Sequence, residues 1–387
     1  MKLINVPAIY IASDKIKTKD EKERLKRLLT KINSDNIIEM PSNLIYHKLL
    51  QEGLFKRENR TGLIKHENPI IIFSGFNWQE EINNPRKGKV FIPYREGQFN
   101  FADFRDKNQL LSEKGVYCNS GFEIHTAFGC FNSCKYCHVG KTYTIMLDIE
   151  KFIDNLEILM KNNPQQNLYK YDNQCDIPDL EPEYGAINKI IEFFSKTDKY
   201  LMLYTKSNNL DYLPSFDQHK GNTLVCWTIS CDDVAKNYEI NASSLDERVE
   251  AAKKCQDKGY KIRFRFSPII PIKDWKKKNR EMIKKIFDKT MPEVICLEML
   301  CHMNKEQCNS LFPDLELPLN ENITEYGLFS DEEKIEVYGF FIDEIRKYDK
   351  NVKLALCLET EKVWNELKGK LGVNPTNFFC CCGENCV

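Results

Sequence analysis

The sequence predicts an α/β fold, a partial TIM-like (β/α)6 barrel with an N-terminal α/β extension and a Cys-rich C-terminal tail. Two observations carry the barrel. From Phe122 onward, short apolar runs of strand length alternate with helical stretches of about ten to fifteen residues, which is the sign of βα units around a parallel sheet. Six such strands can be placed, enough for a partial barrel. A third observation, the run Phe379-Cys-Cys-Cys-Gly-Glu-Asn-Cys386, sets the end of the chain apart. The divisions expected are residues 1–115 for the extension, 116–360 for the barrel and 361–387 for the tail.

In chain order, Lys15 to Ile32 is a Lys-rich amphipathic stretch, and Ile70 to Phe73 and Val90 to Pro93 read as strands. The role of this extension is not legible. The barrel strands fall at Phe122 to Thr126, Leu201 to Tyr204, Leu224 to Ile229, Lys261 to Ser267, Val294 to Leu297 and Lys353 to Cys357. Helices fall near Asp148 to Lys161, Glu183 to Phe194, Ser244 to Lys258 and Trp275 to Asp288. Ser244, three residues before Glu247, makes a capping box at the start of its helix. In sheets of this kind the active site gathers at the carboxyl ends of the strands.

Composition fits an enzyme-sized globular chain. With 387 residues, 42% of them hydrophobic, there is ample core for one large α/β domain. Sixteen Cys would mean a disulfide framework in a short secreted protein, but this long chain opens without a signal-peptide core, so reduced thiols and a cytoplasmic location are expected. No apolar run approaches the roughly 20 residues of a membrane span. The net charge of −1 and pI near 6.6 give no overall footprint for nucleic acid. The basic run Lys273 to Lys278 reads as a solvated helix face.

The chemistry is concentrated in Gly129-Cys-Phe-Asn-Ser-Cys-Lys-Tyr-Cys137. Three thiolates at C-x3-C-x2-C spacing, with no fourth Cys in the loop, suit a [4Fe–4S] cluster with one open iron on Cys130, Cys134 and Cys137. Zinc is the first competing reading, but it would need further ligands nearby, and His138 does not supply a second C-x2-C pair. Inert core thiols are the second. The polar flanks Asn132, Ser133 and Lys135 do not look like a buried strand.

The run resembles the signature of the radical S-adenosylmethionine (SAM) superfamily, including the aromatic Tyr136 before the third Cys. From Cys130 to Asp288 the order of features is similar to the spore photoproduct lyase family: Ile191-Glu-Phe-Phe194, Tyr204-Thr-Lys206, His219-Lys-Gly-Asn-Thr223, Ser244 to Ala252, Gly259-Tyr260, and Ser267-Pro-Ile269 before Trp275. The resemblance implies a cluster that binds SAM, one-electron cleavage to a 5′-deoxyadenosyl radical, and an external electron donor of flavodoxin or ferredoxin type. It places SAM contacts on Lys206, Thr228 and Ser267, with Tyr136 beside the cofactor. Cys175 occupies the place of the family cysteine that returns a hydrogen atom to the substrate radical.

Three departures bear on the target. His138 stands where the family has a Tyr, and imidazole is a poor hydrogen-atom donor, so the family's tyrosine relay does not carry over to it. The stretch Asn320 to Ser330, matching a basic aromatic hairpin that reaches DNA, keeps Tyr326-Gly327 but carries Glu321 and Glu325, whose charge opposes phosphate. The tail thiols Cys380, Cys381, Cys382 and Cys386 have three readings: an auxiliary iron–sulfur cluster, a zinc or dithiol redox site, or a mobile thiol serving the main site. Adjacent side chains in an extended chain alternate in direction, so the three consecutive thiols meet one metal only across a sharp turn. Cys118, Cys296, Cys301 and Cys357, at or near strand ends, could join such a site, though each also reads as core. The function expected is therefore hydrogen abstraction from an unidentified substrate, with repair of a DNA lesion as the alternative and a non-catalytic Fe–S or zinc protein as the reading from another class.

Overall fold

The computed structural model describes residues 3–52, 70–78, 88–92, 97–137, 139, 142–321, 323–381 and 383. Among these, the first elements that build the sheets around the site are β1 (Ala8–Ala12), α1 (Lys19–Leu28), β2 (Ile37–Met40) and β3 (Ile70–Ser74). The Lys-rich stretch yields α1 because Thr18 and Glu21 cap each other's amides in a capping box. From this helix the buried Arg24 donates to the carbonyls of Leu147 and Tyr184 and to Glu150, fastening it to the elements that follow. The predicted strand near Val90 is Gly88–Ile92, and Pro93 lies outside the described residues.

Next come β4 (Ala102–Arg105), β5 (Gly121–Ile124), β6 (Ala127–Phe128) and β7 (Thr142–Met146). β6 and β7 complete a five-stranded sheet in the order β6-β7-β3-β1-β2, parallel except where β6 meets β7. The segment between β6 and β7 carries the three predicted cluster thiols, so this sheet frames their loop.

The remaining elements alternate as expected: α2 (Ile149–Asn162), β8 (Leu168–Tyr171), α3 (Ala186–Phe194), β9 (Tyr200–Thr205), β10 (Thr223–Ile229), α4 (Leu245–Asp257), β11 (Lys261–Ile269), α5 (Trp275–Lys289), β12 (Val294–Met299), α6 (Asp331–Arg346), β13 (Lys353–Leu356) and α7 (Glu361–Leu371). The main sheet runs β13-β12-β11-β10-β9-β8-β5-β4. It is parallel from β5 to β13, and only β4 runs the other way.

One strand in this curve has no counterpart in the sequence reading. β8 sits between β5 and β9, so β5 and β8 to β12 make the six barrel strands and β13, expected as the sixth, extends them. Its four residues, Leu-Tyr-Lys-Tyr, are all buried. Lys170 interrupts the apolar pattern that marks a buried strand, because its ammonium pairs with Glu123 on β5 at 3.0 Å. The capping box at Ser244 forms as expected, with the Glu247 amide 3.3 Å from Ser244 Oγ.

Candidate active site

The loop after β6 turns at Gly129, where φ is +97° and a Cβ would meet the Thr142 carbonyl at 2.4 Å. Only glycine tolerates both the dihedral and the approach. The loop then carries Cys130, Cys134 and Cys137. It is held from outside by the chain around Tyr238 to Asn241: the Lys135 amide donates to the Tyr238 carbonyl at 2.8 Å, and the Asn241 amide to the Asn132 carbonyl at 3.0 Å.

The three thiols line one cavity of about 370 Å³ at the carboxyl ends of the barrel strands. Tyr136, Cys175, Lys206, Thr228 and Ser267 line it too, so residues drawn from positions 130 to 267 meet in one place. A larger groove of about 1040 Å³ lies on the outer face of the same loop, against Phe131, Asn132 and Ser133, but no thiol lines it. The predicted cluster thiols and cofactor contacts all line the smaller cavity. His138 lies outside the described residues.

These residues fit a [4Fe–4S] cluster and SAM. The donors are soft sulfurs, three in number, and the Val139 amide points at Cys137 Sγ from 3.5 Å, the N–H···S contact that tunes such clusters. Burial raises the Cys130 thiol well above its ordinary pKa, so loading metal must release a proton. Among the described residues, no three His, Cys, Asp or Glu side chains surround a position for a single ion. A cubane holds its thiolates farther apart than one ion does, so that observation bears on a mononuclear site and not on the cluster.

Buried carboxylates hold the cationic side chains of the cavity in place. Glu239 Oε1 accepts from Lys206 Nζ at 3.0 Å, from Ser230 Oγ at 2.9 Å and from the Tyr136 hydroxyl, while Oε2 accepts from Arg248. Burial alone would raise this carboxyl, but Arg248 and Lys206 hold it well below the usual range. Arg248 lies in the first turn of α4, which the Ser244 box starts, and also donates to the Thr228 carbonyl at 3.0 Å. Glu298 on β12 likewise accepts from Arg265 at 2.6 Å and from Ser267.

Cys175 follows β8 and is 5% exposed. Burial, with Cys130, Asp172 and Asp176 nearby, raises its thiol well above the ordinary value, so it is a protonated S–H facing the cavity. The adjoining Asp176 takes the Lys206 amide at 2.7 Å and the Asn132 side chain at 2.6 Å, tying the cluster loop to the end of β9. Beneath the same loop, His125 Nδ1 lies 2.6 Å from Asp172. Sequence reasoning missed Glu239, Asp176, Glu298 and His125. Asp176 had one available signal, its place next to Cys175.

The remaining predicted features part company. Glu325 is paired with Lys114 at 3.0 Å and lies 3.4 Å from His302, so its charge is balanced locally and it is not presented bare. Glu321 is exposed. In the tail, Cys380 and Cys381 turn into the barrel and are buried, and Cys296 and Cys357 approach them, whereas Cys382 and Cys386 lie outside the described residues. Cys301 lines the main cavity instead.

The profile of the family described as Spore photoproduct lyase matches residues 115–328, more than half of the chain. Spore photoproduct lyase of Clostridium acetobutylicum is 26% identical over 303 residues, covering 70% of this chain and 89% of its own length. The Bacillus subtilis enzyme of the same name is 27% identical over 221 residues, covering 53% and 64%. Among solved structures, a Cys-to-Ala mutant of spore photoproduct lyase with dinucleoside spore photoproduct superposes with a TM-score of 0.64 at 19% identity, covering 92% of this chain and 99% of that one. A double mutant with bound AdoMet and the same dinucleoside gives 0.63 at 18%, with the same coverage. At these identities the superpositions speak for the fold.

Proposed function

The chain belongs to the spore photoproduct lyase family, and from that premise we propose how its cavity works. It is a radical SAM enzyme. The observation that carries the reading is the meeting of the three loop thiols with Lys206, Thr228, Ser267 and Cys175 in one cavity. Cys130, Cys134 and Cys137 would hold the cluster, three thiolates being one short of the four that close it. When bound, cluster and SAM together supply a 5′-deoxyadenosyl radical that abstracts hydrogen from a substrate carbon.

The chain's own residues do the rest. Lys206, fixed by Glu239, offers a positive donor to the polar end of SAM, while the hydroxyls of Thr228 and Ser267 offer hydrogen bonds at the neighbouring strand ends. Tyr136, with its hydroxyl committed to Glu239, lines the cavity beside the three thiols. Cys175 donates a hydrogen atom to the substrate radical: its S–H bond breaks, a C–H bond forms, and a thiyl radical remains on sulfur. That role needs a protonated thiol, in contrast to a nucleophilic or metal-bound one. The electron comes from an external donor of flavodoxin or ferredoxin type, in the reducing cytoplasm.

The substrate has two readings. Relatives named for the spore photoproduct favour a thymine-derived DNA lesion, and the local neutralisation of Glu325 by Lys114 removes part of the charge that opposes a phosphate. The acidic residue still replaces a cation, which favours a different or smaller target. Reconstituted protein given SAM, dithionite and dinucleoside spore photoproduct separates the two readings. Release of the repaired thymidine dinucleoside supports lesion repair; 5′-deoxyadenosine without repair supports the other target; the absence of both products contradicts the enzyme reading itself.

A further inference from the structure

Below the SAM-binding layer, toward the amino ends of the strands, the barrel interior holds a nest of sulfur unrelated to the cluster loop. Cys226 on β10 is paired in register with Arg263 on β11, and Cys296 on β12 with Arg265. The tail enters from below. Cys381 makes side-chain contact with both Cys226 and Cys296, and its amide lies 2.9 Å from Cys296 Sγ. Cys357 and Cys118 contact one another at the rim.

The seat is built to receive this tail. Arg263 donates to the carbonyls of Cys380 and Cys381 at 3.3 and 3.5 Å, and Asn119 donates to the Phe378 carbonyl at 3.0 Å and to Cys380 Sγ at 3.3 Å. At Gly383 a Cβ would meet the Asn119 side chain at 2.2 Å, so the glycine in the tail motif is what lets the chain lie there. From Phe378 to Cys381 the chain is neither helix nor strand. Its release breaks these bonds, the contact of the Cys381 thiol with the Phe264 carbonyl at 3.4 Å, the Lys353 to Phe379 cation–π contact and the Phe378 to Trp364 ring contact, a local opening of the kind that costs less than global unfolding.

We propose that Cys381, with Cys226 or Cys296 as its partner, is a dithiol redox site that latches the C-terminal tail into the base of the barrel. Burial alone would raise the Cys381 thiol, but hydrogen bonds from Cys226 and Cys296 and the guanidiniums of Arg263 and Arg265 outweigh it and favour thiolate, the attacking form in exchange. The oxidant is an external disulfide. Cys381 sulfur attacks it, one S–S bond breaks and one thiolate leaves; the partner thiol gives up its proton, attacks the mixed disulfide at Cys381 and expels the second thiolate. The protein thiolate and thiol have lost two electrons and the partner's one proton, and the external disulfide has become one thiol and one thiolate.

The consequence reaches the main site through one side chain. Arg265 donates to Cys357 Sγ at 3.2 Å on the nest side and to Glu298 at 2.6 Å on the cavity side, where Glu298 also holds Ser267. A neutral disulfide in place of a thiolate changes the charge opposite Arg265, so SAM affinity responds to the state of the latch.

The test uses the anaerobically reconstituted full-length protein and glutathione disulfide, followed by alkylation in denaturant, non-reducing digestion and mass spectrometry. The proposal predicts a reversible mass loss of about 2 Da per disulfide, a linked peptide joining Cys381 to Cys226 or Cys296, and Cys255 on α4 recovered as a thiol. The linked peptide disappears in Cys381→Ser and persists in Cys380→Ser. Because the linkage is read on the wild-type chain, misfolding of a variant does not remove the test. Recovery of Cys381 as an alkylated thiol, or its linkage only to other tail cysteines, overturns the proposal.

Discussion

The Lys206 ammonium lies 3.0 Å from Glu239 Oε1, the same oxygen that takes the Tyr136 hydroxyl. One buried carboxylate thus fixes both the cation expected to meet SAM and the aromatic residue within the cluster loop. Because Arg248 completes the set at zero side-chain exposure, the group cannot lose its charge without leaving a cation stranded in the interior.

Glu239→Gln tests that coupling. Removing one partner of a buried pair costs on the order of 3–5 kcal/mol, so the urea midpoint falls sharply, and SAM affinity falls with it because Lys206 is no longer fixed. Lys206→Ala leaves stability nearer wild type and weakens SAM binding alone. Equal stability of Glu239→Gln and wild type would show that the pair is not a framework.

Gly129→Ala tests the loop. A left-handed dihedral costs a non-glycine residue roughly 1–2 kcal/mol, and the clash with the Thr142 carbonyl at 2.4 Å forces the loop to move. Iron bound per chain after reconstitution is expected to fall well below four while the far-UV circular dichroism is retained. Full iron loading would mean that the loop can shift without losing the cluster.

His125 gives a pH dependence with a defined sign. Burial alone would lower its pKa, but Asp172 at 2.6 Å and Asp103 at 3.5 Å raise it to about 10. Burial pushes the Asp172 carboxyl up while His125 pulls it down; with Asp103 as the second carboxylate, the imidazolium form prevails. A folded pKa above the unfolded value of about 6.5 stabilises fully below pH 6.5 and is lost as pH rises through 10, on the order of a few kcal/mol. Urea unfolding at pH 6.5 and 9.5 should show that loss, and His125→Gln should flatten it. The same slope in both proteins would exclude His125 as its source.

These residues also show what the sequence could and could not reveal. The barrel was legible because β9, β10 and most of β12 are apolar runs and β11 alternates apolar residues with Arg263 and Arg265, and the cluster because thiol spacing is chemically specific. β8 was hidden because its Lys170 is buried only through pairing with Glu123. Glu239 was hidden for a related reason: an acidic residue in a polar stretch looks solvated until the fold brings Arg248, Lys206 and Tyr136 around it. The tail thiols were conspicuous in the sequence and Cys296 was a candidate to join them, but Cys226 lies within a strand where a cysteine passes for ordinary core.

Cys175→Ala separates radical formation from product formation. SAM cleavage should continue near the wild-type rate while product falls or diverts to an adduct, since the substrate radical no longer meets an S–H bond. Unchanged product yield and identity would remove Cys175 from the mechanism.

The most direct measurement is 5′-deoxyadenosine formed by the reconstituted, dithionite-reduced protein with SAM, compared with a Cys130→Ala/Cys134→Ala/Cys137→Ala variant. The account predicts 5′-deoxyadenosine and methionine in equal amounts from the wild type and none from the variant. No 5′-deoxyadenosine from wild-type protein carrying about four irons per chain, the content of one [4Fe–4S] cluster, would contradict it.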